Sequence, residues 1–351
     1  MTTVLCTLYN SLYLDKGLVL YDSLCACAKD FKLYVLCMDD KCYEVLTDLN
    51  QEHHIPVRLS DFERGDEALL AAKANRPVGE YCWTCTSSFI RYVMNHYNEA
   101  SCTYIDADMY FYNDPQVLIN EMLAAGKSVM VVPHRFPKEK KGDEKIVGRY
   151  CVEFNTFLQE ESSINVLEYW RNRCIDCCSN IGDGIHWGDQ KYLDELVENY
   201  NNVYECQNVG AGVAPWNFIF YRKSSIGNSL LLKKNKIEIP LIFYHFQYIK
   251  YITRNIINTN IPIKRGIDLS LVDYLYYPYL NKIEFKKQLL ESKYGIDFLI
   301  THHPLDKKQA KRKGVVNVLN PIKVLSALKA RFMKVHSYII DISNYDSNNI
   351  S

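Results

Sequence analysis

The sequence lacks several features that would assign it to a familiar protein class. No run approaches the ~18 uninterrupted apolar residues of a membrane-spanning helix. The opening residues, MTTVLCTLYN, hold no basic segment, long apolar stretch or small-residue cleavage site, so we expect no secretory signal. The patterns GxxxxGKS/T, HExxH and GxSxG are also absent, which argues against P-loop enzymes, zincins and hydrolases with a nucleophile elbow.

The whole chain also has no excess of charge of either sign. Its 351 residues include 41 basic and 41 acidic side chains. Residues 1–220 hold 19 basic and 32 acidic side chains, whereas residues 221–340 hold 22 and 7. Because 48% of the residues are hydrophobic and 23% are charged, the composition is that of a soluble globular protein rather than a disordered or fibrous one.

The 13 cysteines form an odd set without regular spacing, and several lie within apolar runs. This use of cysteine predicts a reducing, cytoplasmic compartment. Two CxxC patterns, Cys82–Cys85 and Cys174–Cys177, could supply four thiolates to zinc, but their wide separation favours a structural role.

Short apolar runs alternate with helix-like stretches in the first part of the chain. Strands are predicted at Thr3–Tyr9, Leu33–Met38, Ile55–Leu59, Cys102–Ile105, Ser128–Pro133 and Ile239–Phe246. Helices are predicted at Gly17–Ala28, Cys42–Asn50, Trp83–Tyr97, Val166–Ser179 and from Asp189 to about Asn199. The lysine-rich segment Pro137–Lys145 is expected to be a surface loop. This alternation predicts an α/β fold with a largely parallel sheet, whose ligand crevice lies beyond the carboxyl ends of the strands.

The most informative segment is Thr103–Tyr112, TYIDADMYFY. Asp106 and Asp108 follow a buried strand, and side chains two positions apart in extended backbone point to the same side. Two such carboxylates can approach Mg²⁺ or Mn²⁺ and leave coordination positions open for substrate phosphates. Alternatively, they are turn residues that close the strand.

Five segments in this order resemble the GT-A nucleotide-sugar glycosyltransferases, and most nearly the family-8-like retaining group. They are TLYN at the first strand end, YIDAD with its DxD motif, VEFNTF, HWGDQKYLD and IFYHF, all within residues 1–250. The resemblance implies a Rossmann-like mixed sheet flanked by helices, with residues 1–250 as the catalytic domain. Residues 251–351 would then form a basic, mainly helical C-terminal extension.

The resemblance also implies a ligand set for the cation. Asp106 and Asp108 match the metal and diphosphate-sugar pair, with Asp108 as the more direct ligand, and His245 matches a C-terminal histidine that completes the metal site. Lys250 is a candidate for the diphosphate-binding lysine, although FQYIK stands where the family has Gly and Lys-Pro-Trp. A histidine among apolar neighbours is equally compatible with a core position.

The remaining candidate residues concern the donor. Thr7, Tyr9 and Asn10 match the nucleobase site, where Tyr9 offers a flat ring for stacking on uracil. Asp189 and Gln190 match the donor-sugar motif and are the candidate catalytic residues, while a helix cap is the alternative role for Asp189.

Three further matches are less specific. Arg91 resembles a basic residue directed at the sugar phosphate, with a solvated helix face as the alternative. Asn155 occupies the place of the family's FN-x-G motif, although Phe157 replaces its glycine. Trp216 would form either the floor of the sugar site or part of the core.

These observations predict an enzyme that transfers a sugar from a nucleotide-diphospho-sugar, with UDP as the expected nucleotide, to a glycan or lipid-linked acceptor. A nucleotidyltransferase and a non-catalytic glycan- or membrane-binding module remain alternatives. A basic run at 307–313 and an amphipathic helix at 322–340 predict peripheral contact with an anionic membrane at its cytoplasmic face. No nucleic-acid partner is expected.

Overall fold

The computed structural model describes residues 2–179, 186–298 and 337–343. The Cα positions group into two compact units, one of Met1–Gly212 with Leu241–His245 and the other of Val213–Pro240 with Phe246–Ser351. The domain boundary at residue 250 stays a prediction. Among the described residues, no helix is long and apolar enough to cross a membrane.

The first unit contains nine strands and nine helices within the described residues. The strands are β1 (Thr3–Tyr9), β2 (Phe31–Cys37), β3 (His54–Arg58), β4 (Ser101–Ile105), β5 (Met109–Phe111), β6 (Val129–Pro133), β7 (Tyr150–Leu158) and β8 (Val203–Glu205), and the segment Leu241–His245 adds a strand at Phe243–His245. The helices are α1 (Leu14–Cys27), α2 (Asp40–Leu49), α3 (Leu59–Phe62), α4 (Glu67–Ala74), α5 (Val78–His96), α6 (Gln116–Ala124), α7 (Lys141–Val147), α8 (Glu161–Asp176) and α9 (Tyr192–Asn199). Short 3₁₀ turns lie at Ser11–Tyr13 and Lys138–Lys140.

Seven of these strands form one mixed sheet in the order β3-β2-β1-β4-β7-β6-β8. The pairs β1–β2, β2–β3, β1–β4 and β6–β8 are parallel, whereas β7 is antiparallel to both β4 and β6. The strands are nearly continuous apolar runs, and Leu5, Leu33 and Ile105 are fully buried, as expected of a sheet covered by helices on both faces. The predicted α/β fold, a mixed sheet flanked by helices, is confirmed.

The second unit contains two small sheets and one long helix within its described residues. Its strands are β9 (Tyr221–Lys223), β10 (Ser229–Leu232), β11 (Ile237–Pro240), β13 (Lys250–Tyr251), β14 (Ile256–Pro262) and β15 (Ser337–Asp341), where β12 denotes Phe243–His245 of the first unit. A 3₁₀ turn spans Phe218–Phe220, and helix α10 spans Leu269–Tyr294. Asp268 caps α10 by accepting the Ser270 N–H, and Gly295 ends it with a φ of +66°.

Two sequence predictions about local structure are wrong. Pro137–Lys145 is not a loop, because a 3₁₀ turn and α7 occupy it; lysine and glutamate favour helix, and Asp143 and Glu144 lie in its first turn. Ile239–Phe246 is not one strand but the end of β11 and the whole of β12. Pro240 ends β11, and the Leu241 carbonyl accepts the Asn113 side chain, which separates the two strands.

The amphipathic segment predicted at 322–340 lies almost entirely outside the described residues, as does the basic run at 307–313. Its last residues are described, and they belong to β15, which pairs with β14. The predicted helix therefore does not extend into residues 337–340.

Candidate active site

The structure brings Asp106, Asp108 and His245 together at the end of β4. Both aspartates lie in the turn between β4 and β5, and β5 pairs with β12 so that His245 stands opposite Met109. This pairing joins two segments that are far apart in the sequence. It places the imidazole beside the DxD turn, at the carboxyl end of a strand that is parallel to β1.

The imidazole of His245 contacts three carboxylates. Its Nε2 atom lies 3.1 Å from Oδ1 of Asp108 and 3.6 Å from Oδ2 of Asp106. Its Nδ1 atom lies 2.7 Å from Oε2 of Glu153. The side chain of Asp106 is 29% exposed and that of Asp108 is 14% exposed, so solvent or a ligand reaches the aspartates.

These contacts set the protonation of the cluster. Burial disfavours the charged form of His245, but Asp108 and hydrogen bonds outweigh it and raise the imidazole pKa well above its ordinary value. Burial raises the pKa of Asp106 to about 6, with contributions from the charges of Asp108 and Glu153. For Asp108, burial opposes ionisation, yet His245 and Lys16 lower the carboxyl pKa below its usual value.

The donor atoms fit a divalent cation. Ligand atoms of Asp106, Cys151 and His245 lie within 4.8 Å of one another, and Asp108 adjoins the same imidazole nitrogen. Carboxylate and imidazole ligands suit Mn²⁺, and carboxylates suit Mg²⁺. Burial raises the pKa of the Cys151 thiol, so this side chain is a neutral neighbour of the carboxylates and imidazole.

Lys16 places a positive charge near this cluster. Its Nζ atom lies 3.6 Å from Asp15 and 3.9 Å from the centre of the Tyr13 ring. Burial would lower the pKa of this ammonium group, but Asp15, Tyr13 and Asp108 raise it above its ordinary value. The sequence interpretation omitted Lys16, although a lysine in the first turn of the helix after β1 was a usable signal.

Asp189 and Gln190 also belong to the first unit. Asp189 is buried, and its carbonyl accepts the indole N–H of Trp170 at 2.9 Å. Burial raises the pKa of Asp189 to about 7, and the charge of Asp106 contributes to this increase. Helix α9 begins after Lys191, without a side-chain cap, so Asp189 does not cap it. Gln190 donates its amide to the Val147 carbonyl at 2.6 Å.

Two of the three candidates at the end of β1 are more deeply buried than we expect of side chains that contact a nucleobase. Thr7 is fully buried, and its hydroxyl has no hydrogen-bond partner within the described residues. The Tyr9 ring is only 3% exposed, and its hydroxyl contacts His54 at 3.3 Å. Asn10 is half-buried at the start of a 3₁₀ turn. An exposed aromatic face near the aspartates belongs instead to Tyr13.

The four remaining candidates for donor binding have no described contact with Asp106, Asp108 or His245. Arg91 forms an ion pair with Glu168 on α8. Asn155 is fully buried in β7 and donates to the Val152 carbonyl at 2.9 Å. Trp216, which is buried, and Lys250, which is exposed, both belong to the second compact unit. The predicted roles of these residues in donor binding stay predictions.

Glu153 is the contact of the cluster that the sequence interpretation missed. It lies in the middle of β7, its side chain is fully buried, and it bonds His245 from the side opposite Asp108. A carboxylate within the apolar strand YCVEFNTFL was the available signal, because such residues are almost never fully buried without a partner.

No protein-family model matches the sequence. Among solved structures, the galactosyltransferase LgtC in complex with donor and acceptor sugar analogs has a TM-score of 0.47 at 12% identity, covering 81% of this chain and 96% of that chain. Mouse xyloside xylosyltransferase 1 has a TM-score of 0.46 at 12% identity, covering 75% of this chain and 100% of that chain. Both scores lie below 0.5.

Two curated proteins of Bacillus subtilis (strain 168) are similar along most of their length. The uncharacterized protein YfnF is 30% identical over 301 residues, which cover 84% of this chain and 97% of YfnF. The uncharacterized protein YfnD is 30% identical over 281 residues, covering 79% of this chain and 88% of YfnD. The chain therefore belongs to the family that includes YfnF and YfnD.

Proposed function

We propose that this protein is a metal-dependent glycosyltransferase that moves a sugar from a nucleotide-diphospho-sugar, with UDP as the nucleotide, to a glycan or lipid-linked acceptor. The observation that carries the proposal is the convergence of Asp106, Asp108 and His245 at a strand end. Two carboxylates and an imidazole suit Mn²⁺ or Mg²⁺, and the carboxylates remain accessible.

Four side chains would hold the cation and the departing diphosphate. Asp106, Asp108 and His245 would bind Mn²⁺ or Mg²⁺, which when bound offsets the negative charge that develops on the leaving diphosphate. Lys16, whose charge is felt at Asp108, would contribute a second positive charge to the diphosphate. The acceptor hydroxyl would then attack the anomeric carbon while the bond to the diphosphate breaks, and the hydroxyl proton would pass to an oxygen of the departing diphosphate.

Asp189 and Gln190 would orient the donor sugar. Because the pKa of Asp189 is about 7, its carboxyl is partly protonated near neutral pH, and it can donate or accept a hydrogen bond with a sugar hydroxyl. Fixed polar groups of this kind hold the reacting carbon in position, which lowers the entropic part of the barrier. The motif resemblance to family-8-like enzymes supports retention of the anomeric configuration, and it supports donor contacts by Thr7, Tyr9, Asn10, Arg91, Asn155, Trp216 and Lys250.

Release of UDP from a panel of UDP-sugars tests the proposal. The purified protein should release UDP with Mn²⁺ and not with EDTA, and Asp108→Asn should abolish the release. Asp114→Asn is the matched control, because Asp114 accepts the Gln116 N–H in a nearby loop, away from the contacts described for the cluster. Metal-independent release, or full activity in Asp108→Asn, would overturn the proposal.

A second assay separates this proposal from nucleotidyl transfer. A nucleotidyltransferase would release pyrophosphate from UTP in the presence of a sugar 1-phosphate, whereas a glycosyltransferase would not. A binding module would give neither product. Thermal unfolding with each UDP-sugar, with and without Mn²⁺, then identifies the donor, because a ligand of the folded state raises the melting temperature.

We also propose peripheral contact between the basic C-terminal part and an anionic membrane. Residues 307–313, KKQAKRK, carry five basic side chains, and lysine and arginine near an anionic surface contribute about 1 kcal/mol each. Replacing these five residues by alanine preserves β15, which a deletion of 307–351 would remove. If the wild type and the five-alanine variant sediment equally with phosphatidylserine vesicles, this contact is contradicted.

A further inference from the structure

We infer that Glu153 is a positioning residue for the metal site, which fixes the imidazole of His245 so that its Nε2 atom faces Asp106 and Asp108. The inference rests on the proposed function, because it assigns a role at the same cation site. It concerns a residue that does not itself reach the cation position, since His245 lies between Glu153 and Asp108.

The first argument is the hydrogen bond between Glu153 and His245. Oε2 of Glu153 lies 2.7 Å from Nδ1, a length typical of a charge-assisted bond. A carboxylate can only accept here, so Nδ1 keeps its proton, and whenever the imidazole is neutral its lone pair is on Nε2. Nε2 is the nitrogen that faces the two aspartates.

The second argument is the position of Glu153 in its strand. The residue precedes Phe154, which pairs with Ile105 of β4, and it lies where β7 bulges opposite β6 between Cys151 and Thr156. Its carbonyl accepts the Asp106 N–H at 3.4 Å, so the same residue contacts one ligand through its backbone and another through its side chain. One residue of β7 therefore contacts both proposed ligands, and support from a strand favours precise placement of ligands.

The third argument is the space around the carboxylate. Glu153 is fully buried, and within the described residues its Oε1 atom has no hydrogen-bond partner. Gly212 lies beside it with a φ of +68°, and a Cβ built there would be 3.2 Å from Oε1 and 2.9 Å from Cγ1 of Val132. Because burial of a carboxylate is costly, its bond to His245 is the interaction that offsets the cost.

This arrangement has a defined chemical effect. A carboxylate behind a metal-bound histidine fixes the orientation of the ring and strengthens its donor nitrogen, and loss of such a carboxylate costs about 10–100-fold in metal affinity. Glu153 would therefore act on cation binding through His245, without contacting substrate.

Mn²⁺ titration of the full-length protein by calorimetry, without nucleotide, tests this role. Glu153→Gln keeps the shape but removes the charge, and Glu153→Ala removes the hydrogen bond. We expect the dissociation constant for Mn²⁺ to rise by about 10–100-fold in both variants. Saturating Mn²⁺ should restore most of the turnover in both variants, whereas their affinity for Mn²⁺ should stay reduced.

Glu63→Gln is the matched control, because Glu63 is also buried and bonded, to Lys73 and Tyr81, away from the cluster. If Glu153 had a purely structural role, Glu153→Gln and Glu63→Gln would both lower the melting temperature and leave the affinity for Mn²⁺ unchanged. Dissociation constants within twofold of the wild type in the Glu153 variants would overturn the inference. If Glu153→Ala does not fold, Glu153→Asp replaces it, since a shorter carboxylate also withdraws from Nδ1.

Asp108→Asn separates this inference from the proposed function. If it binds Mn²⁺ like the wild type, the metal site itself is wrong. If it loses Mn²⁺ while the Glu153 variants bind normally, the site stands and only the role of Glu153 fails.

Discussion

The Nε2 atom of His245 lies 3.1 Å from Oδ1 of Asp108, and this contact joins the turn after β4 to the end of β12. The imidazole carries a raised pKa because Asp108 stabilises its charged form against the cost of burial. A divalent cation can take over this role, since it supplies positive charge to the same carboxylates. The contact is therefore the physical link between the fold and the proposed metal chemistry.

Asp108→Asn should weaken Mn²⁺ binding by more than about tenfold, because an amide is a neutral and weaker ligand than a carboxylate for a hard cation. Calorimetric titration of Mn²⁺ measures this change directly. Asp114→Asn should bind Mn²⁺ like the wild type, since its side chain bonds only a nearby backbone N–H in the described contacts. Equal affinities for the two variants would rule out Asp108 as a ligand.

Lys16→Met should weaken binding of UDP in the presence of Mn²⁺ by about 10–100-fold, the usual effect of losing a hydrogen bond to a charged group. Methionine keeps most of the side-chain volume next to the Tyr13 ring, so folding should be preserved. Calorimetry with UDP measures the loss.

The matched control for this variant is Lys41→Met, because Lys41 is an exposed lysine of α2 that pairs only loosely with Glu44 at 4.0 Å. UDP binding by Lys41→Met should equal that of the wild type. If Lys16→Met also binds UDP normally, the lysine has no part in holding the diphosphate.

Local pattern predicted most of the first unit. β1, β2 and β4 are nearly continuous apolar runs, and α5 has an amphipathic pattern, so burial and sequence agree there. The DxD turn was predictable for the same reason, since its aspartates follow such a run. The pattern failed at α7, where lysine and glutamate occur both in solvated loops and in exposed helices.

The partners within the site were harder to predict. Glu153 and His245 are distant in the sequence, and they meet where β12 pairs with β5. No local pattern encodes that pairing. The surroundings of Tyr9 were also hard to predict: its ring is buried and packs on Gly17, while its role in donor binding stays a prediction.

Gly17→Ala should lower the free energy of unfolding by about 1–3 kcal/mol, the usual cost of overpacking a core. A Cβ at this position of α1 would lie 2.7 Å from the hydroxyl oxygen of the buried Tyr9. Urea unfolding at neutral pH measures the change.

Gly79→Ala provides the comparison, because Gly79 also lies in a helix and a Cβ there would meet nothing within 4 Å. It should leave stability unchanged or raise it by up to about 1 kcal/mol, since alanine favours helix over glycine. Equal effects of the two substitutions would show that the Tyr9 ring yields without cost.

Asp189→Asn should reduce the dependence of stability on pH between 5 and 8. Burial raises the carboxyl pKa to about 7 in the folded protein, whereas an unfolded aspartate has a pKa of about 3.9. The folded state therefore binds this proton more tightly, and the wild type loses stability as pH rises from about 4 to about 7. The asparagine variant does not titrate at this position, so it lacks this loss.

Urea unfolding in EDTA at pH 5 and pH 8 checks this sign. Relative to the wild type, Asp189→Asn should gain on the order of 2 kcal/mol between pH 5 and pH 8, because the wild type must ionise a buried carboxyl over that range. Asp114→Asn, which removes a carboxyl from a half-buried loop position, controls for the general effect of one fewer acid. If the curves of Asp189→Asn and wild type run parallel between these pH values, Asp189 is ionised throughout. Asp189 would then carry no proton near neutral pH, so it could only accept a hydrogen bond from the sugar.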